Sequence, residues 1–126
     1  MFKSWPTVRA LGFDLPDPTT YRWVRVVRPA SIAILPAVSD LGAGEREALA
    51  LAAETPDTVL IIDDALARRH AEILHVRFTG TAGLLVKAKG AGQIPTVAPI
   101  LNRLAELRFR LTPETRLAIL RLVGEK

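Results

Sequence analysis

The chain reads as an α/β protein with parallel strands, and three observations predict it. Helical and extended segments alternate along the sequence, the pattern of folds built on a parallel sheet. The run Val59-Leu60-Ile61-Ile62 is wholly apolar, as suits a strand buried on both faces of its sheet. Residues 96–107 place Val97, Ile100, Leu101, Leu104 and Leu107 on one face at helical spacing, which marks an amphipathic helix covering such a sheet.

Each element has a local cause. Residues 1–22 are an irregular lead-in, with three of the nine prolines before position 21 and little periodicity. Residues 23–27 (WVRVV) are rich in β-branched and aromatic side chains and are closed by Pro29, so they predict a strand. Residues 30–35 predict a helical turn that Pro36 ends. Gly42 and Gly44 then break the chain before a helix over 45–54, where Ala and Leu dominate and Glu45 and Glu47 open the first turn. After the apolar strand, Asp64 is placed to cap a helix over 65–74. Residues 75–78 form a second short strand, and Thr79-Gly80-Thr81 leads into a helix over 82–89. The last helix begins at Thr112-Pro113, a capping residue followed by proline at the first position, and stops at Gly124.

The chain has 126 residues and 49% apolar composition, which is one domain with a modest core. It has no cysteine, which excludes disulfides and thiolate metal sites. No apolar run reaches the length of a membrane span, and Pro and Asp interrupt the N-terminus where a signal peptide would be apolar. The expectation is a cytoplasmic protein that does not meet a membrane. The net charge is +4 but uneven: from Thr79 onward eight basic residues face three acidic ones, and before it nine face ten. A basic part beside an acidic part suits a polyanion gripped on one side and cut over a metal on the other. A solvated surface with a chance surplus gives the same count.

Three groups of residues can carry chemistry. Glu45, Glu47, Asp63 and Asp64 open a helix and close a buried strand, at the strand end where α/β sites lie. Carboxylates so placed can hold a hard divalent cation, which activates water and steadies phosphate oxygens. Glu45 and Glu47 do not share a helix face, so at most one of them is a direct ligand. Acids in a helix's first turn and an Asp after a strand also arise as plain caps. Thr79 and Thr81 offer hydroxyls and amides at a helix start, a natural phosphate contact, although no Gly-Lys-Ser/Thr phosphate loop follows. Arg68, Arg69, Lys87 and Lys89 can meet phosphates without reading sequence, or simply face solvent. His70 and His75 have no partner at a metal spacing, and no serine lies in a nucleophile motif.

In order, LGAGEREALALA (41–52), VLIIDDALARRHA (59–71), VRFTGTAGLLVKAKGAGQIP (76–95) and the amphipathic tail resemble the PIN-domain proteins, within them the VapC-like bacterial branch. The resemblance covers residues 23–124, with Pro6-Thr7-Val8-Arg9 as a further match. It implies a three-layer α/β/α fold with a parallel sheet and a magnesium- or manganese-dependent endoribonuclease acting on single-stranded RNA. It also implies a toxin held by an antitoxin protein. The family's later acidic site residues fall on Glu45, with Glu47 beside it, and on Asp63 and Asp64; its hydroxyl position falls on Thr79 or Thr81.

One feature of the family is missing from the resemblance. Its fold opens on a strand carrying Asp followed by Ser or Asn, whereas Asp14 and Asp17 lie among prolines. The expectation is an N-terminally truncated PIN-like fold, whose exposed strand edges favour a homo-oligomer. A competing expectation is a non-catalytic nucleic-acid-binding or protein-interaction module.

Overall fold

A computed structural model describes residues 16–33 and 40–126. The chain divides into two compact units, Met1–Phe78 and Thr79–Lys126, and each has its own apolar core.

The first unit holds a 3-10 turn (Pro18–Thr20), helix α1 (Ala43–Glu54), strand β1 (Leu60–Ile61) and helix α2 (Ala65–Ile73). Strand β2 (Phe78–Thr79) begins in it. β1 and β2 form a small parallel sheet joined through α2; the Leu60 amide donates to the Arg77 carbonyl at 2.8 Å. Leu49 of α1 is fully buried, which contributes about 1.5–3 kcal/mol relative to exposure. Ala67 and Ala71, one helical turn apart, are also fully buried, and their small side chains let α2 lie close to Leu49, Leu60 and Ile62 in one cluster.

Four features of this unit depart from the sequence reading. Leu60 and Ile62 are buried while Val59 and Ile61 are exposed, so β1 is covered on one face rather than two. An apolar run carries no alternation that distinguishes these cases. Residues 23–27 form no strand; the Val24 amide turns back to the Tyr21 carbonyl at 3.1 Å, and strand propensity without a partner backbone gives only extended chain. Residues 30–33 form no helix, and the rest of that turn, like Asp14 and the match at 6–9, lies outside the described residues. The second strand is shorter than expected because His75 adopts a left-handed φ of 57°.

The second unit contains α3 (Thr81–Gly90), α4 (Ala98–Glu106) and α5 (Pro113–Leu122). Val97, Leu101, Ile119 and Leu120 are its buried centre. Leu107, expected on the buried face of α4, is exposed, because it is the C-cap rather than part of the helix. α4 has no side-chain cap of its own. The Glu125 carboxylate takes that role from a distance, accepting from the amides of Val97 at 2.8 Å and Ala98 at 3.0 Å. Lys89 Nζ donates to the same carboxylate at 2.8 Å and to the Val123 carbonyl at 2.7 Å. The Lys89 hydrogen bond, followed by the two amides, lowers the Glu125 pKa to about 2, against the opposing effect of burial.

Four helices end on one motif, in which a left-handed residue lets the next amide reach back to an earlier carbonyl. The left-handed residues are His75, Gly92, Arg108 and Gly124, followed by Val76 to Ala71, Gln93 to Ala88, Phe109 to Leu104 and Glu125 to Leu120. Two of the four are not glycine and pay the steric cost of a Cβ in that conformation. His75→Gly and Arg108→Gly should each raise stability by about 0.5–1 kcal/mol in urea unfolding, the steric relief exceeding the entropy glycine adds to the unfolded chain.

Glu125 gives a pH prediction. Its folded pKa lies below its ordinary 4.5, so its stabilisation is present above pH 4.5 and is lost as pH falls from there toward 2. Hydrogen exchange at the Val97 and Ala98 amides should quicken over that window, and Glu125→Gln should remove most of the pH dependence.

Candidate metal and nucleic-acid site

The sequence places its acidic residues where β1 ends and α1 begins, and local chemistry decides what each one does there. Asp64 caps α2: its carboxylate accepts from the Ala67 amide at 2.9 Å. Asp63 sits one residue earlier, half-exposed, and meets Arg68 Nη2 at 3.6 Å. Arg68 also donates through Nε to the Ile62 carbonyl at 3.1 Å. One guanidinium therefore ties the first turn of α2 to the last residues of the strand and lies against Asp63.

Glu45 stands in the first turn of α1, half-buried, where the helix dipole favours a carboxylate. It folds back over the helix start, so that a Cβ on Gly42 would collide with its Oε2. Gly44, Glu45 and Ala48 of the α1 entry and Ile61 and Ile62 of the strand end line one concavity of about 220 Å³. The opening of α1 and the close of β1 thus share a pocket, with Glu45 in its wall. Glu47 is exposed, two positions along from Glu45 and therefore on another side of the helix.

The expected convergence of Glu45 or Glu47 with Asp63 and Asp64 is not seen: among the described residues, no three His, Asp or Glu side chains are grouped so as to hold a metal ion. One oxygen of Asp64, Oδ2, is engaged in the helix cap. Glu45 and Asp63 are hard oxygen donors, and magnesium is commonly held through one or two carboxylates with water completing its shell. That donor chemistry fits a water-rich ion and does not fit one caged wholly by side chains.

In the second unit, Thr79 and Thr81 flank the buried Gly80 at the start of α3 and are half-buried. The Thr79 hydroxyl packs so closely over Gly83 that a Cβ there would collide with it. Lys89 is engaged with Glu125 and Val123, which commits its ammonium to the fold. Arg69 and Lys87 are exposed. Two contacts made by acids had no signal in the sequence, because they join distant positions. These are Glu125 on α4 and Glu54, whose carboxylate accepts from the Ala30 amide at 2.9 and 3.1 Å.

A small α/β protein with carboxylates at a parallel strand's carboxyl end is the class this geometry defines. A family model described as a PIN domain matches residues 7–125, and the chain belongs to the PIN-domain family. This is a nuclease-type fold whose members generally use divalent metals. No curated protein and no solved structure matches the chain. No helix among the described residues is long and apolar enough to cross a membrane.

Asp64→Ala should cost about 1 kcal/mol through loss of the α2 cap, whereas Asp64→Asn, an equally good cap, should leave the urea midpoint nearly unchanged. The pair separates the structural role of Asp64 from any role of its charge.

Proposed function

We propose that this PIN-domain chain is a metal-dependent endoribonuclease of the VapC-like branch, acting on single-stranded RNA in the cytoplasm as the toxin partner of an antitoxin protein. The observation that supports the reading most is the pocket shared by Glu45 and the end of β1, in a chain whose PIN-family match spans residues 7–125. Glu45 and Asp63 are the ligands, with magnesium or manganese held mainly through water. Such an ion, when bound, supplies an activated water and charge stabilisation for a phosphodiester.

The chain's own contribution is positioning. Arg68 holds the end of β1 and lies against Asp63, which sets the direction of that carboxylate. Asp64 fixes the turn by capping α2. In the first unit, exposed Arg69 takes a phosphate contact, which orients an RNA without reading its bases.

A second reading has its own support. Exposed basic side chains such as Arg69 support a PIN module that binds RNA without cutting it. The two readings part on a direct assay with labelled single-stranded RNA. Nuclease function predicts cleavage with Mg2+ or Mn2+, abolished by chelation and lowered at least about 100-fold by Glu45→Gln or Asp63→Asn. RNA bound but left intact at every metal concentration would support the binding module, and cleavage untouched by both substitutions would sink the proposed site.

A further inference from the structure

Ahead of α1 lies a segment that takes no part in the pocket lined by Glu45. Residues 21–28 read Tyr-Arg-Trp-Val-Arg-Val-Val-Arg, and every side chain except that of Val24 is exposed. Trp23 is 83% exposed, an unusual position for the largest apolar side chain. Its ring lies 5.9 Å from that of Tyr21, tilted by 43°. Arg22, Arg25 and Arg28 recur at every third position, and no acidic residue occurs between Asp17 and Asp40. The ion pairs among the described residues involve Arg68, Lys89 and Arg103, and none of these three arginines.

The segment is preceded by a closed turn and fastened to α1 at its far end. Before it, Asp17 accepts from the Thr19 amide at 2.9 Å and the Thr19 hydroxyl at 2.6 Å, closing the 3-10 turn. After it, the Glu54 carboxylate clamps the Ala30 amide and ties the chain to the end of α1. An exposed aromatic pair beside guanidinium groups, on a chain that turns at residues 21–24 and is tied to α1 at Ala30, offers a stacking platform next to phosphate contacts. Bases stack on any aromatic face, so such a platform tolerates all sequences, and the planar guanidinium matches phosphate geometry. A second copy pairing along this segment would set three arginines against three, which like-charge repulsion across strands disfavours.

We propose that residues 21–28 are a docking strip for single-stranded nucleic acid. Bases stack on Trp23 and Tyr21, and phosphates pair with Arg22, Arg25 and Arg28. The strip takes its ligand class from the ribonuclease reading but needs neither metal nor cleavage, so the two can fail separately.

The test is fluorescence anisotropy of a labelled oligouridine with the full chain in EDTA. Trp23→Ala should weaken binding about 5- to 150-fold, the range for loss of one base stack, and Trp23→Phe should restore most of it. Replacing Arg22, Arg25 and Arg28 together by Gln should flatten the slope of log affinity against log salt by about 2. All these positions are exposed, so melting temperatures should stay near wild type; if Trp23→Ala does not fold, Trp23→Phe and the arginine variants carry the test. Wild-type affinity and salt slope in the arginine variant would overturn the strip while leaving the proposed Glu45 and Asp63 site untouched. It would equally be overturned if the wild-type chain ignored RNA and Trp23→Ala altered only self-association, which would mark a protein interface.

Discussion

A helix that starts straight after a strand must find partners for its first amides, and at the end of β1 that demand falls on Asp64. Its bond to the Ala67 amide fixes where α2 begins. That start point turns Ala67 and Ala71 inward against Leu49 and Leu60 and brings Arg68 back to the Ile62 carbonyl. With Arg68 in place, Asp63 is held at the rim of the strand end. Two adjacent aspartates thus acquire different jobs, one closing the turn and the other pairing with Arg68.

The same chemistry recurs in the second unit with a longer reach. Val97 precedes α4 with no hydroxyl or carboxylate of its own to offer, and Glu125 supplies the missing acceptors after α5 has ended. The reversal at Gly124 directs Glu125 there, because its amide is bonded to the Leu120 carbonyl. Lys89 joins α3 to this arrangement. Asp64 and Glu125 are therefore structural elements of the fold.

Local features were legible in the sequence and remote ones were not. The Asp64 cap, the Thr112-Pro113 helix start and the stop at Gly124 appear where capping chemistry puts them, because each depends on residues within one turn. The parallel sheet followed from alternation, and the structure bears out an α/β fold. The strand expected at Trp23 failed because pairing depends on a partner that side-chain type does not reveal. Val59 and Ile61 are exposed although their neighbours in an unbroken apolar run are buried. Glu125 and Lys89 lie 36 positions apart, and nothing in either residue's surroundings announces the other. For the site, proximity of Glu45 to the end of β1 was foreseen, while the use of Asp64 as a cap competes with the ligand role the resemblance suggested.

In the proposed nuclease site, Glu45 and Asp63 form one side of a divalent-cation site. Paramagnetic broadening of amide NMR signals by Mn2+ tests it directly, since broadening depends on distance to the ion and not on catalysis. Selective loss of the signals from residues 44–48 and 62–64 at low Mn2+, abolished in the Glu45→Gln, Asp63→Asn double variant, is the predicted result. Broadening centred elsewhere, or unchanged in that variant, would contradict it.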